Sequence, residues 1–200
     1  SPMLHERQDG IETVRCLKQQ PWFDGRLAMW GGSSFGHTQW AIADQRELSA
    51  LSIQIASTSF RRMFFPGGAF SLESALQWAF RSRGTRDREV DIGALERGAN
   101  HLPLLEADDV ALADTPFYND WPRAGPNGDY WKAIDGVDRT KTLAAPVLFT
   151  AGWYDPFLPE QLADFVRVRA HPDIRVAGPS RLVVRPWAHA QELTLPGART

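Results

Sequence analysis

Two hundred residues with 43% hydrophobic side chains are enough for a packed core and exclude a disordered chain. A net charge of −2 offers no broad basic face for nucleic acid, and no apolar run approaches the ~20 residues of a membrane span. Cys16 is the single cysteine, which excludes an intrachain disulfide or a thiolate metal cluster.

The opening stretch SPMLHERQDG lacks the charged-then-apolar pattern of a secretory signal, so a cytoplasmic location is the expectation. Asp9 with Glu12 three residues on has capping-box spacing, and Ile11, Val14 and Leu17 share one face of the helix that follows. Pro21 and the Asp24-Gly25 turn end it. RLAMWG is short, apolar and unalternated, and reads as a strand buried on both faces. A helix is expected from Phe35 to about Ala43, and a second apolar strand near Leu51–Ala56.

The middle of the chain changes character. Leu72, Ala75, Leu76 and Ala79 define a helix that stops at Gly84, and REVDIGALERGAN reads as another. Residues 101–140, rich in Pro, Asp, Gly and aromatics, read as a loop-rich lobe. A strand then starts at Pro146, a helix carries Pro159 in its first turn, and a last strand runs to His189. Strands alternating with helices imply a parallel sheet in an α/β fold, with functional groups at the carboxyl ends of its strands.

Three strand ends carry chemistry. GGSSFG follows the first strand, Asp155 follows PVLFTAGWY and His189 follows RLVVRPWA. A serine is a poor nucleophile until a histidine takes its proton, and an acid must orient that histidine. Serine, acid and histidine in this order match the chain order of an α/β-hydrolase triad. The spelling leaves the serine open. G-x-S-x-G fits Gly32-Ser33-Ser34-Phe35-Gly36 and points to Ser34, whereas Ser33 lies nearer the strand end.

The stretches DGIETVRCLKQQPWFDGRLAMWGGSSFGHTQW, HLPLLEAD, AGWYDPFLPEQLADF and RLVVRPWAH resemble the X-Pro dipeptidyl-peptidase and cocaine esterase family of α/β-hydrolases. The resemblance runs along essentially the whole chain. Its nucleophile motif is G-x-S-Y-x-G with the first serine reactive. It therefore implies that Ser33 is the nucleophile, with Ser34 in the usual tyrosine position lending its backbone N–H to an oxyanion hole. It likewise implies Asp155 as the acid and His189 as the base, Phe157 and Trp78 in an acyl pocket, and no cofactor. Family members carry further strands ahead of this region, with a second oxyanion donor, a tyrosine hydroxyl, and many carry a β jelly roll after it. The expectation is thus a central piece of a larger enzyme, with an unpaired edge on its nucleophile strand.

The expected organisation is a first core part at 1–65 with the nucleophile elbow, a helical cap at 66–140, and a second core part at 141–200. The implied function is hydrolysis of an ester or amide, of acyl or X-Pro dipeptidyl type, through an acyl-enzyme. The substrate would be a small ester, amide or short peptide, with no nucleic acid or membrane partner. The alternatives are a catalytically impaired interaction module and an acyltransferase on the same scaffold. His5, His101 and His171 lack ligand-like spacing, so no metal is expected. Glu106–Asp109 reads as a solvated turn, His37 as part of a polar helix surface, and Trp22, Trp121, Tyr130 and Trp131 as structural.

Overall fold

The computed structural model describes residues 2–82, 91–112 and 115–189. In chain order its elements are α1 (Glu6–Lys18), β1 (Leu27–Gly32), α2 (Ser34–Ala41), β2 (Leu48–Gln54), α3 (Phe60–Phe64), α4 (Leu72–Ser82), α5 (Ile92–Ala99), α6 (Ala107–Leu112), α7 (Asp120–Ala124), α8 (Asp129–Ile134), β3 (Val147–Tyr154), α9 (Leu158–Arg169), α10 (Ile174–Ala177) and β4 (Arg181–Ala188). Short 3-10 turns lie at Pro66–Gly68, Leu104–Glu106 and Val137–Lys141.

The chain divides into two compact units. One comprises Ser1–Leu4 with Phe60–Ile134, and the other His5–Ser59 with Asp135–Thr200. The first is helical. Phe64, Phe65, Phe70, Trp78, Phe117, Tyr118, Trp121, Tyr130 and Trp131 form its centre as one run of ring contacts, with Phe64 and Trp121 centroids 4.7 Å apart. The tract expected to be loop-rich thus folds as short helices whose aromatic side chains supply the burial that their length cannot. Within it Asp108 is buried and accepts the Thr115 N–H at 2.9 Å, so the acidic cluster is not wholly solvated.

The second unit holds the sheet. Its strands lie in the order β1-β2-β3-β4 and every pair is parallel. Because spatial order follows chain order without reversal, right-handed crossovers put their helices on one side. The core shows this. Val14 of α1, Trp40 of α2, Val168 of α9 and Val176 of α10 join Leu51, Ile53, Val147 and Phe149 on one sheet face. The other face exposes Trp30 (75%), Leu148 (44%) and Val183 (42%). The expectation that β1 is buried on both faces therefore fails. Leu27 and Met29 pack inward, while Ala28 and Trp30 are exposed at the sheet edge.

Other boundaries move by a few residues. α1 begins at Glu6 with His5 at its N-cap, not at Asp9. Asp9 instead donates its N–H to the His5 carbonyl, and Glu12 pairs with Arg15. Two acids in the first turn suit the positive end of the helix dipole, so the helix starts earlier than a capping-box reading allows. β2 starts at Leu48, ahead of the expected Leu51, because Leu48 is already buried against the core. The helix expected from residue 88 has Asp91 as its N-cap, whose side chain accepts the Ala94 N–H at 3.0 Å. Residues 88–90 and the expected stop at Gly84 lie outside the described residues.

Candidate active site

The first element of the site is the turn between β1 and α2. Ser33 stands alone between them, with φ 56° and ψ −124°. A non-glycine residue in such a conformation costs on the order of 1–3 kcal/mol and persists only where its surroundings enforce it. Here the Ser33 N–H donates to the Gln54 carbonyl of β2 at 3.0 Å. Its own carbonyl accepts from Gly36 at 2.9 Å and His37 at 3.1 Å, which starts the helix. Two glycines make the turn geometrically feasible. A Cβ on Gly31 would lie 2.6 Å from the Phe35 Cβ, and one on Gly36 would collide with the Ala56 Cβ.

The strained turn brings Ser33 Oγ within 2.8 Å of His189 Nε2. Ser34 is instead the first residue of α2. Its N–H lies in the first turn, where a helix offers no internal acceptor, and the dipole there favours negative charge.

Asp155 follows β3 and is buried. Its Oδ1 accepts the Phe157 N–H at 2.8 Å and its Oδ2 pairs with His189 Nδ1 at 2.7 Å. His189 follows β4, and an irregularity in the ladder sets its aim. Gly152 pairs with Arg185 but Tyr154 pairs with Ala188, so β4 carries one extra residue there. Such a bulge bends a strand and redirects the side chains after it. Gly152 is required at this point, since any Cβ would strike the Trp187 carbonyl.

A buried carboxylate can only accept, so the His189 proton sits on Nδ1 and leaves Nε2 to accept from Ser33. Ser33, His189 and Asp155 thus form one hydrogen-bonded row at the carboxyl ends of β1, β4 and β3. Asp135 and Asp138, in the stretch ahead of β3, are engaged elsewhere. Asp135 accepts from Ser59 Oγ and the Val137 N–H, and Asp138 pairs with Lys141.

Phe157 is buried, with its ring centroid 5.5 Å from that of His189. Trp78 belongs to the helical unit, where its ring meets Phe117 and Trp121 edge-on. Trp121 and Trp131 are buried there, whereas Trp22 is exposed. His37 does not lie on a polar surface. It is buried on α2, and desolvation, with a smaller contribution from the Arg139 charge, lowers its pKa to about 4. Hydrophobic periodicity could not reveal this, because α2 is buried on nearly every side, at Gly36, His37, Gln39, Trp40 and Ala41.

Among the described residues no group of three or more His, Cys, Asp or Glu side chains is arranged to hold a metal ion, and no helix is long and apolar enough to cross a membrane. A cavity of about 680 Å³ lined by Asp44, Arg46, Leu48 and Pro146 opens at the amino ends of β2 and β3, the end of the sheet away from Ser33 and Asp155.

The parallel sheet with a strand–turn–helix serine at its carboxyl edge is an α/β-hydrolase core. The family model for X-Pro dipeptidyl-peptidases of the S15 family matches residues 1–191, and the chain belongs to that family. It is 32% identical to the cocaine esterase of Rhodococcus sp. (strain MB1 Bresler) over 94% of this chain and 35% of that protein. Among solved structures it is similar to an aminopeptidase from a marine sediment archaeon, Thaumarchaeota archaeon (TM-score 0.67, 20% identity, 92% of this chain and 32% of that one). It is also similar to a puromycin-hydrolyzing peptidase of Mycobacterium tuberculosis (TM-score 0.52, 18% identity, 93% of this chain and 22% of that one). The chain spans about a third of the length of the curated relative it matches.

Proposed function

We propose that the protein is a serine hydrolase that cleaves an ester or amide through Ser33, His189 and Asp155. The observation that carries this reading is the continuous row of hydrogen bonds from Ser33 Oγ to His189 Nε2 and from His189 Nδ1 to Asp155, at 2.8 and 2.7 Å. Membership of the S15 family, and the relatives named as an esterase and as peptidases, support the same class of substrate.

In this mechanism Ser33 Oγ attacks the substrate carbonyl carbon as its proton passes to His189 Nε2. The imidazolium that forms is stabilised by Asp155 through Nδ1. The carbonyl oxygen becomes an oxyanion, which the Ser34 N–H and the amino end of α2 stabilise. When the tetrahedral adduct collapses, the C–O or C–N bond breaks and His189 returns its proton to the leaving alcohol or amine. Water then attacks the acyl-Ser33 ester with His189 again as base, which releases the acid and restores the serine. Phe157 packs beside the imidazole, and we assign it to the acyl pocket. No step needs a cofactor.

The test is turnover of a short-chain aryl ester and of an X-Pro anilide by the wild-type chain and by Ser33→Ala. The expected result is liberated acid from one of the two, abolished in Ser33→Ala. Equal turnover in the variant would remove Ser33 from the mechanism. An ester product formed with added alcohol in preference to free acid would indicate acyl transfer in place of hydrolysis.

A further inference from the structure

Two glutamines stand in equivalent places beneath the site. Gln39 follows Ser33 by six residues, and Gln161 follows Asp155 by six. Each lies on the helix that leaves its strand end, and each is fully buried. Gln39 Nε2 donates to the carbonyl of Gly31 on β1 at 3.1 Å, of Ser52 on β2 at 3.1 Å and of Phe35 on α2 at 3.3 Å. Gln161 Nε2 donates to the carbonyl of Ile53 on β2 at 3.2 Å and of Thr150 on β3 at 3.2 Å.

The placement is specific to the site. Gly31 and Phe35 are the residues two before and two after Ser33, so Gln39 ties together both limbs of the strained turn. Ser52 and Ile53 are consecutive on β2, and their carbonyls point to opposite sides of the strand. One glutamine therefore binds β1 to β2 and the other binds β3 to β2. The strand of Ser33 and the strand of Asp155 are both fastened to the same strand between them, which itself carries no member of the row.

Neither glutamine is explained by burial alone. The Oε1 of each is buried with no hydrogen-bond partner among the described residues. An unsatisfied buried acceptor is costly, and an apolar side chain of the same size would avoid that cost. What an apolar side chain cannot supply is the Nε2 donor aimed at strand carbonyls.

We infer that Gln39 and Gln161 are positioning residues, which fix the separation of Ser33 and Asp155 by fastening β1 and β3 to β2. The inference rests on the proposed Ser33–His189–Asp155 mechanism. Displacements of about 1 Å in such a constellation cost about 10²-fold in rate.

Gln39→Met and Gln161→Met keep length and volume but remove the donor, and Gln39→Asn and Gln161→Asn keep the amide on a shorter stem. Each is made in the whole chain, and three quantities are read: the rate of fluorophosphonate labelling, kcat and KM for an ester, and the thermal unfolding transition. The Met variants should lose about 10- to 100-fold in labelling rate and in kcat, with KM within about threefold and a cooperative melt retained. The Asn variants should recover part of that loss.

A Met variant that melts earlier but labels at the wild-type rate would show a role in stability alone and overturn the inference. So would a glutamine variant of either kind that has no cooperative transition, or a kcat that stays fixed while KM rises. Ser33→Ala separates this from failure of the mechanism. If Ser33→Ala labels like the wild type, the mechanism falls and the positioning role with it. If Ser33→Ala is silent while the Met variants are unimpaired, the positioning role alone falls.

Discussion

Ser33 and Ser34 are adjacent and chemically identical, and backbone geometry alone separates them. Ser33 holds φ 56° between strand and helix, which turns its Oγ toward His189, whereas Ser34 is already helical. The motif spelling favoured Ser34 and the family resemblance favoured Ser33, because one-letter patterns do not encode which residue takes the positive φ. Asp155 is the second residue where a small change is informative. Asp155→Asn keeps the shape and can still accept the Phe157 N–H through its carbonyl oxygen. It then presents an amide N–H to His189 Nδ1, which forces the proton onto Nε2, where it can no longer accept from Ser33. The expected loss in kcat is about 10⁴-fold, with the unfolding transition little changed, measured by ester turnover beside calorimetry. A loss under tenfold would assign the orienting role to another acid.

The elements that position the site were legible to different degrees. All four strands show in the sequence because short apolar runs bounded by Gly, Pro and Asp allow few other readings. Asp155 and His189 were visible for the same reason, each being the first polar residue after such a run. The extra residue in β4 that aims His189 has no sequence signal, nor do the positions of Gln39 and Gln161, which depend on how helices seat over strand ends. Buried ionisable groups were equally hidden. On α2, His37 has a pKa lowered to about 4. On α9, Asp164 has a pKa raised to about 6, chiefly by desolvation. That aspartate accepts from the Thr58 N–H and hydroxyl at 2.8 and 2.7 Å and pairs with Arg167, which also meets Glu160. The two shifts act oppositely on stability. Between pH 4 and 6.5 the unfolded chain binds a proton at His37 that the folded chain refuses, so this contribution is complete above 6.5 and lost as pH falls toward 4. Between pH 3.8 and 6 the folded chain holds a proton on Asp164 that the unfolded chain releases, so this contribution is lost as pH rises through that window. Relative to the wild type, the melting temperature of His37→Gln should therefore fall as pH rises from 4 to 6, and that of Asp164→Asn should rise over the same range. Parallel profiles for the two variants, read by differential scanning fluorimetry, would contradict these assignments.

At the scale of the whole molecule, the sheet explains both what was expected and what was not. A parallel α/β sheet follows from the alternation of strands and helices, but the packing of α1, α2, α9 and α10 on one face follows from strand order, which no local pattern contains. Four strands in unreversed order place their helices on one side and leave Trp30, Leu148 and Val183 on the other. β1, which leads to the serine, comes first in the order β1-β2-β3-β4, and its pairing with β2 and the fork of Gln39 tie it to its neighbour. Three residues separated by up to 156 positions meet only if β1, β3 and β4 all keep register. Peptide mapping by mass spectrometry after treatment with a fluorophosphonate tests that assembly most directly. A single covalent adduct on Ser33 is expected, absent from His189→Gln and from Ser33→Ala and retained in Ser34→Ala. An adduct on Ser34, or no adduct on a chain that melts cooperatively, would contradict it.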